Sequence, residues 1–557
     1  MAPLKSNNQL YSGAHDRASI LSKQFKSVFT KDNAESKNTA PYGPNYPCMS
    51  EFTITEFGVQ KLLSAINPSK AGGPDEVPCR VLKELADELA PVLTHIFQQS
   101  IKSGEVPAEW KMQWVTPIYK KGPKCEAANY RPVSLTCVTS KLLEHIICTQ
   151  IRGHLDKHGI LSPFQHGFRA RHSCETQLAV TFHDLADLND QMHQVDIAIL
   201  DFSKAFDVVP HTRLLNKLQF YGISSEVCNW IREFLSGRKQ RIMVDGVFSQ
   251  EESVDSGVPQ GTVLGPLLFL LFINDITNGL STGTRIRLFA DDCLVYRPIR
   301  NIQDQLTLQA DLSSLEGWSN TWGMFFNPSK CNIISTRPKS KNHLHHFYTL
   351  YGHILKEVDT AKYLGVLLAS SLSWSPHIDA VATRANQKLG FIRRNLRGSP
   401  RQSKCMAYTA LVRSGMEYAS AIWDPHTKKD TDKLERIQRK AARWATSTYS
   451  HTESVTTILQ NLKWAELADR RTHQRLTLLY KIINNHVEVQ TTEVGIQPNS
   501  RPSRRHQKQL LRPRAKSDIF RQSFILRTIS DWNSLPSSTV NAESATAFKI
   551  QLQHPMP

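Results

Sequence analysis

Residues 285–296 constrain the fold of this chain more than any other stretch. Apolar side chains alternate through Ile286, Leu288 and Ala290, two aspartates follow at Asp291 and Asp292, and a second apolar run comes directly after them. Alternation with a period of two is typical of a strand with one buried face. The segment therefore predicts a tight hairpin with the two carboxylates at its turn.

The acidic pair has two interpretations. Aspartate is a good turn former, and for an isolated pair that interpretation is favoured. Adjacent anions in a partly enclosed site also tend to take up protons or bind a cation. Asp201 favours the cation, because it follows the apolar residues 197–200 of a strand that should be buried on both faces. A carboxylate there is costly unless it is paired or metal-bound, so we predict that the three aspartates form an oxygen cage suited to Mg²⁺.

The length and charge of the chain limit the number of domains and the kind of partner that are expected. Its 557 residues suggest three or four domains of roughly 100–200 residues each. A net charge of +18 and a pI near 9.4 favour a polyanionic partner, with nucleic acid ahead of an anionic membrane. The longest apolar run is about half of the ~20 residues that a bilayer requires, so no membrane contact is expected.

The cysteines and the N-terminal sequence indicate the cellular compartment of the protein. The ten cysteines are scattered and include no Cys-x-x-Cys motif, which favours reduced thiols over disulfides or structural zinc. The first residues lack the apolar core of a signal peptide. We expect a protein of the nucleus and cytoplasm that is not secreted.

Three cations are candidate ligands for a triphosphate. Lys120 follows a predicted strand at 114–119, and Arg131 lies in a second predicted strand at 130–135, so one hairpin would present both. Arg169 precedes a predicted helix whose N-terminus is itself an anion site. Taken alone, each of these cations is more typical of a solvated surface.

Further candidates come from Gly- and Pro-rich stretches and from one aromatic residue. In Ser256-Gly-Val-Pro-Gln-Gly261, glycines let the backbone come close to a ligand that Gln260 can bind, although an ordinary turn has the same composition. Phe206 follows Asp201 by five residues, which suits a ring that lies under a sugar and excludes a 2′-OH. Lys330 follows a turn, where it can protonate a leaving group.

These pieces occur in the order of reverse-transcriptase motifs. The matching residues are Asp201 with Phe206, Ser256-Gly-Val-Pro-Gln-Gly261, Phe289-Ala-Asp-Asp292, Asn327-Pro-Ser-Lys330 and Lys362-Tyr-Leu-Gly365. The chain most resembles the enzyme of non-LTR (LINE-type) retrotransposons, in the Jockey and chicken-repeat group. Each motif is weak alone, but five in order with sensible spacing are very specific.

The resemblance implies an α+β right-hand polymerase fold, with fingers, palm, thumb and a mainly helical C-terminal segment. It implies two Mg²⁺ ions, replaceable by Mn²⁺, held by Asp201, Asp291 and Asp292, with Lys330 also catalytic. Nucleotide-binding residues would be Lys120, Arg131, Arg169, Phe206, Gln260 and Gly261, and the primer grip would be Tyr363, Leu364 and Gly365. The implied partners are an RNA template, a DNA primer and deoxynucleoside triphosphates.

The domain limits that we predict follow these motifs. They are a flexible linker with one short helix (1–50), an N-terminal extension (51–100), fingers and palm (101–335), the end of the palm with a helical thumb (336–445) and a basic C-terminal segment (446–557). A helix with one apolar face over residues 81–97 is expected in the core. Residues 384–443 contain fifteen Lys and Arg against five Asp and Glu, which suits a phosphate-binding surface; a solvated helix face is the alternative.

The resemblance also raises an alternative function. Proteins of this group usually carry an endonuclease upstream, and the chain begins in what resembles the linker after it. We therefore expect no endonuclease and no target-primed integration. The main function expected is RNA-directed DNA polymerisation; the alternative is a catalytically inactive, nucleic-acid-binding remnant of a retroelement.

Overall fold

Helices and short strands are interspersed along the whole chain. The computed structural model describes residues 1–30, 41, 43–336, 343–450, 452–500 and 505–553. Residues 31–40 and 42 of the predicted linker at 1–50 therefore lie outside the described residues. The elements fit an α+β fold, as predicted.

The strands pair into two larger sheets and several hairpins. They are β1 (Leu4–Ser6), β2 (Gln9–Tyr11), β3 (Met112–Tyr119), β4 (Tyr130–Leu135), β5 (Gln194–Leu200), β6 (Lys239–Val244), β7 (Val247–Phe248), β8 (Glu252–Ser253), β9 (Arg285–Phe289), β10 (Asp292–Ile299), β11 (Asn332–Thr336), β12 (Thr349–Leu350), β13 (His353–Ile354), β14 (Lys356–Glu357), β15 (Thr360–Tyr363) and β16 (Val366–Ala369). One sheet has the order β4-β3-β6-β7, with β8 also on β6, and the other has the order β14-β11-β5-β10-β9.

Helices make up most of the remaining regular structure. They are α1 (Ala14–Lys26), α2 (Glu56–Ser64), α3 (Cys79–Glu84), α4 (Ala86–Ser103), α5 (Ala108–Lys111), α6 (Val138–Lys157), α7 (Cys174–Asp190), α8 (Ala205–Val208), α9 (His211–Phe220), α10 (Ser225–Leu235), α11 (Leu264–Ile273), α12 (Ile302–Trp322), α13 (Ser375–Asn395), α14 (Arg401–Ala407), α15 (Ser414–Glu417), α16 (Ser420–Trp423), α17 (Lys428–Thr446), α18 (Val455–Asn461), α19 (Leu467–Ile483), α20 (Asp518–Arg521), α21 (Phe524–Asn533), α22 (Ser537–Val540) and α23 (Ala545–Gln553). A π-helical turn, Tyr408–Arg413, joins α14 to α15.

The chain divides into two compact units. The first unit comprises residues 1–168, 202–280 and 313–327, and the second comprises 169–201, 281–312 and 328–557. No helix among the described residues is both long enough and apolar enough to cross a membrane.

The first unit is built on the sheet that contains β3 and β6. Helix α1 covers this sheet, and Leu21 and Phe25 of the helix share an apolar cluster with Val115 and Ile242 of the strands. Arg17 in the same helix forms a 2.8 Å ion pair with Asp245 in the β6–β7 turn. The one short helix predicted within the flexible segment 1–50 therefore spans residues 14–26 and packs as part of this unit.

The predicted core helix over residues 81–97 needs a correction. It is two helices, α3 and α4, and only one of its apolar rows is buried, through Leu82, Leu93 and Phe97. A second row remains exposed, including Leu85 at 44% and Val92 at 55%. The i, i+3, i+4 spacing correctly predicted helix, but apolar residues cover more of the circumference than the unit can bury.

A buried lysine joins three elements of the first unit. Lys217 on α9 has no exposed side-chain surface, and its Nζ donates to the carbonyl oxygen of Phe272 and to Oδ1 of Asp275, each at 2.5 Å. The same Nζ lies 3.7 Å from the ring centroid of Trp322, a cation–π contact. Burial lowers the pKa of Lys217 to about 8, although Asp275 opposes that shift.

Replacing Lys217 with methionine is expected to reduce the free energy of unfolding of the first unit by about 3–5 kcal/mol, because a buried carboxylate at Asp275 loses its cation. The double variant Lys217→Met/Asp275→Leu should recover most of that loss, since a buried ion pair and apolar groups of similar volume are often equivalent. Denaturant-induced unfolding of the three proteins measures both effects. Equal losses in the single and double variants would contradict this account.

The second unit is organised around β5, the central strand of its sheet. Val195, Ile197, Ala198 and Leu200 are buried on the two faces of this strand, which confirms the predicted buried strand. Antiparallel neighbours lie on both sides, β10 on one and β11 on the other. Main-chain pairing on both edges therefore fixes the position at which β5 ends.

The C-terminal helices close the core of the second unit. Leu476 and Leu479 on α19 and Ile525 and Trp532 on α21 belong to the apolar cluster that also includes Ile197 of β5. Within the predicted basic C-terminal segment, residues 501–504 lie outside the described residues, and the segment after them is packed. Its Leu510 is 6% exposed, because apolar residues between the basic ones anchor it.

Candidate active site

The strand register brings two of the predicted aspartates together. Leu200 at the end of β5 pairs with Cys293 of β10. Asp201 follows Leu200 and Asp292 precedes Cys293, so in this antiparallel register the two aspartates stand opposite each other. Residues in opposite positions have Cα atoms about 4.5–5.5 Å apart and side chains on the same face. Carboxylates that are ninety residues apart in sequence thus meet at one end of the sheet.

The third aspartate lies in the adjoining turn. Phe289 pairs with Asp292 and closes a two-residue loop of Ala290 and Asp291, as the predicted hairpin requires. Ala290 has φ +54°, a left-handed conformation at the first loop position like that of a type II′ turn, where glycine is usual. A non-glycine residue in this conformation is strained by about 1–3 kcal/mol, so the surrounding sheet must hold the acidic turn in this shape.

Lys330 approaches the carboxylates from the opposite neighbour of β5. It ends a 3₁₀ turn, Pro328–Lys330, that leads into β11. Its Nζ lies 3.5 Å from Oδ1 of Asp201, and about half of each side chain is exposed. The three aspartates and Lys330, predicted as one catalytic group, therefore lie at the same end of three adjacent strands.

Two cysteines beside the carboxylates were not recognised from the sequence. The backbone N–H of Asp201 donates to Sγ of Cys331 at 3.4 Å, and Cys293 directly follows Asp292. Burial raises the pKa of Cys331 to about 11 and raises that of Cys293 further. Both thiols therefore stay protonated at neutral pH and support the site by packing, not as thiolate ligands. Each cysteine directly follows a predicted site residue, Asp292 or Lys330, and this was the available signal.

The donor set fits a hard divalent cation. Asp292 is exposed and Asp201 and Asp291 are partly exposed, so solvent and a ligand can reach all three carboxylates. Carboxylate oxygens with open positions for water or phosphate suit Mg²⁺ or Mn²⁺, whereas Zn²⁺ prefers nitrogen and sulfur. The arrangement can therefore hold divalent metal beside a phosphate ester.

In the first unit, two predicted nucleotide-binding residues have fixed surroundings. The ring of Phe206 stacks on Phe269, with centroids 4.3 Å apart, and meets Phe168 edge-on at 6.0 Å. Nε2 of Gln260 donates to Oδ1 of Asp207 at 2.8 Å. Burial raises the pKa of Asp207, and the hydrogen bond from Gln260 opposes that shift.

The glycines of residues 256–261 allow close contacts within the chain itself. A Cβ at Gly257 would lie 2.6 Å from the carbonyl oxygen of Phe206, and one at Gly261, where φ is +109°, would collide with the carbonyl oxygen of Ser134. The backbone that comes close is therefore the chain's own. The backbone N–H of Ser134 also donates to the carbonyl oxygen of Gln260 at 2.8 Å, which anchors this loop to β4.

Glu144 is a supporting residue that sequence reasoning missed. It is fully buried on α6, and its carboxylate accepts from the backbone N–H groups of Val263 at 2.7 Å and Leu264 at 3.1 Å. Burial raises its pKa, whereas these two hydrogen bonds lower it. It thus caps α11 and fixes the loop that carries Gln260. A lone acid among the apolar residues of α6 was the available signal.

The predicted cations lie on two segments of the chain. Lys120 and Arg131 are exposed on the β3–β4 hairpin, where Arg131 pairs with Ile118 and the N–H of Lys120 donates to the carbonyl oxygen of Asn129 at 2.9 Å. Arg169 is half-buried in the loop before α7. The N-terminus of α7 is already capped, because Ser173 and Thr176 form a capping box there.

The residues predicted as a primer grip form the β15–β16 hairpin. Its loop residues Leu364 and Gly365 have φ of +44° and +86°, as a type I′ turn requires. Tyr363 is 2% exposed and its hydroxyl accepts from Gln177 at 3.1 Å, while the carbonyl oxygen of Leu364 accepts from the hydroxyl of Tyr418 at 2.9 Å. The side chains of Tyr363 and Leu364 are therefore core, and the ring of Tyr418 packs against Gly365, where an added Cβ would lie 2.8 Å from it.

Comparison with known proteins shows which enzymes this chain resembles. A family model described as reverse transcriptase (RNA-dependent DNA polymerase) matches residues 118–368. A probable RNA-directed DNA polymerase from transposon X-element of Drosophila melanogaster is 28% identical over 78% of this chain and 49% of its own length. The RNA-directed DNA polymerase from mobile element jockey of Drosophila funebris is 28% identical over 70% of this chain and 43% of its own length.

The chain thus spans about half the length of the curated relatives that it matches. More distant similarity extends to the Pol polyprotein of retrotransposable element R2DM of Drosophila melanogaster, 25% identical over 54% of this chain and 29% of its own length. The matched region contains the acidic turn and both neighbouring strands. Residues 118–368 match the reverse transcriptase family model, and the relatives named above are RNA-directed DNA polymerases of a transposon and of a mobile element.

Proposed function

We propose that this chain is an RNA-directed DNA polymerase that adds deoxynucleotides to a primer 3′-OH. The observation that carries the proposal is the pairing of Leu200 with Cys293, which sets Asp201 opposite Asp292 beside the acidic turn. In the proposed right-hand architecture, the sheet of β5, β9, β10 and β11 is the palm. The β3–β4 hairpin belongs to the fingers, and the helices from α13 to α17 form the thumb.

The proposed chemistry assigns one task to each group. Asp201, Asp291 and Asp292 would hold two Mg²⁺ ions, whose positive charge would favour ionisation of the primer hydroxyl and offset charge on the pyrophosphate. Lys330 protonates the pyrophosphate as it departs. Its 3.5 Å contact with Asp201 supports a position near the reacting phosphate.

The first unit supplies the proposed nucleotide contacts. Lys120 and Arg131 pair with the triphosphate, and Arg131 offers a planar fork for two of its oxygens. Gln260 lies along the template–nucleotide pair on a loop that Glu144 and Ser134 fix. Phe206 lies under the sugar and excludes a 2′-OH.

Basic helices supply the proposed grip on the template and primer. Lys388, Arg393 and Arg394 on α13 are exposed, as are Arg436 and Lys440 on α17. Cations on helix surfaces bind the phosphates of a duplex without regard to its sequence, in a manner that weakens with salt. This supports binding of an RNA–DNA hybrid as the product grows.

Primer extension tests the proposal. The purified chain is incubated with an RNA template, an annealed DNA primer, the four deoxynucleoside triphosphates and Mg²⁺, and we expect products that grow to the template end and disappear when EDTA removes the metal. A gel-shift assay on the same hybrid measures binding separately. Tight binding without extension under Mg²⁺ or Mn²⁺ would replace the polymerase by the alternative, a non-catalytic retroelement remnant.

Replacing Phe206 with alanine is expected to raise ribonucleotide incorporation about 10–200-fold relative to deoxynucleotides, the range of discrimination that steric exclusion of one small group provides. Because this ring packs against Phe269 and Phe168, it could not move aside to make room for a 2′-OH. Single-nucleotide extension with matched ribo- and deoxyribonucleotides gives the ratio.

The matched control for this substitution is Phe57→Ala, at an aromatic side chain that is 74% exposed on α2. This variant should leave the sugar selectivity unchanged. Unaltered selectivity in Phe206→Ala with preserved deoxynucleotide incorporation would remove the role assigned to Phe206.

A further inference from the structure

A histidine pair lies on an extended segment of the second unit, outside the carboxylate site. His343 and His345 flank Leu344, two residues apart, and such residues of an extended chain point to the same side. Nδ1 of His343 lies 3.0 Å from Nε2 of His345. Their ring centroids are 4.1 Å apart and the ring planes are inclined by 76°. Two imidazole nitrogens therefore converge on one point.

The backbone between the two histidines is held by buried amides. Gln194 at the start of β5 accepts from the N–H of Leu344 at 3.0 Å and donates to its carbonyl oxygen at 2.9 Å. Gln305 on α12 donates to the same carbonyl oxygen at 3.0 Å. Both glutamines are buried, so this segment is fixed to the body of the unit and the histidine geometry is preorganised.

A carboxylate completes the group from a neighbouring strand. Glu357 lies on β14, which pairs in parallel with β11, and its Oε2 is 4.0 Å from Nδ1 of His345. One ligand atom from each of the three residues lies within 4.8 Å of the others. His345 and Glu357 are exposed and His343 is half-buried, so an ion in solution has access to the group.

We propose that His343, His345 and Glu357 form a binding site for a divalent transition metal, with Zn²⁺ as the favoured ion. Two imidazoles and one carboxylate are a donor set typical of zinc. Zinc–ligand bonds of about 2.0–2.1 Å in a tetrahedron imply ligand atoms roughly 3.3 Å apart. The 3.0 Å between Nδ1 of His343 and Nε2 of His345 is close to that value, and the ligand atoms of all three residues lie within 4.8 Å of one another. A water molecule fills the fourth position.

The site differs in chemistry and position from the three aspartates. Imidazole nitrogen selects zinc over magnesium, whereas carboxylates with open positions select magnesium. The proposed ion would join the segment before β12 to β14, the edge strand of the sheet. Its expected role is to stabilise this edge of the second unit, and the proposal does not depend on polymerase activity.

Zinc uptake by the full-length chain tests the proposal. Protein stripped with EDTA is dialysed against a low concentration of Zn²⁺, and bound zinc is measured by elemental analysis beside the thermal unfolding temperature with and without the ion. His345→Ala and Glu357→Gln should each weaken zinc binding by about tenfold or more. Under these conditions His345→Ala should bind close to one zinc fewer per chain than wild type and lose the zinc-dependent rise in unfolding temperature.

His346→Ala is the matched control. Its imidazole packs edge-on against Tyr348, with ring centroids 4.9 Å apart, and it is not a member of the three-residue group. It should bind as much zinc as wild type, which separates this site from zinc held by cysteines or other histidines. Equal zinc content in wild type and His345→Ala, or no zinc-dependent rise in the unfolding temperature of wild type, would overturn the proposal.

Discussion

Replacing Asp291 with asparagine is expected to reduce primer extension by about 10³-fold or more while binding of the RNA–DNA hybrid persists. The substitution keeps the size of the side chain but removes a charge from the three-carboxylate group, and metal-based stabilisation of phosphoryl transfer amounts to several kcal/mol. Each 1.36 kcal/mol corresponds to a factor of about ten in rate. Single-turnover extension and gel-shift binding, measured on the same preparation, separate the two effects.

Asp359→Asn is the matched control for this loss of charge. Asp359 is an exposed aspartate between β14 and β15 of the same unit, and its replacement should leave extension within about twofold of wild type, because surface substitutions away from special features have small effects. Comparable rates for Asp291→Asn and Asp359→Asn would show that the acidic turn is not part of the metal site.

The second large effect is expected on the free energy of unfolding when Asp424 is replaced. Asp424 follows α16, is 6% exposed, and accepts from Nε of Arg471 at 2.7 Å and Nε of Arg475 at 2.8 Å. Arg527 on α21 lies 3.2 Å from the same carboxylate. One buried anion thus joins three cations from α19 and α21, and it holds the C-terminal helices to the second unit.

Asp424→Asn should lower the free energy of unfolding by about 3–5 kcal/mol, because two buried guanidinium groups lose their shared counter-ion. At 2–4 °C for each kcal/mol in a unit of this size, the unfolding temperature should fall by roughly 10 °C. Differential scanning calorimetry measures the shift. Asp518→Asn, which affects an exposed pair with Arg521, should leave it unchanged; equal shifts in the two variants would contradict the role of Asp424.

The sequence predicted those features of the site that follow from local pattern. Period-two alternation identified the hairpin around Asp291, and an apolar run identified the buried strand before Asp201; both are confirmed. Motif order identified the family. The register that sets Leu200 against Cys293 is a long-range pairing, and no local pattern encodes it.

Contacts between residues that are far apart in sequence were the main features that the sequence did not predict. No local pattern marks Lys217 as buried, because its partner Asp275 is 58 residues away, and burial by tertiary packing overrides the usual exposure of lysine. Glu144 was missed for the same reason. Its role as a hydrogen-bond acceptor depends on the position of the N-terminus of α11, which the residues around Glu144 do not indicate. Tyr363 was assigned to the primer grip from a motif, whereas the structure buries its side chain.

Iron-mediated cleavage tests the central claim most directly. Fe²⁺ substitutes for Mg²⁺ at a carboxylate site, and with ascorbate and peroxide it cuts the polypeptide backbone close to where it is bound. We predict paired cuts near residue 201 and near residues 291–292, both suppressed by excess Mg²⁺ and both lost in Asp292→Asn. Cuts at only one of these two segments, or loss of only one of them in that variant, would show that Asp201 and the acidic turn do not bind metal together.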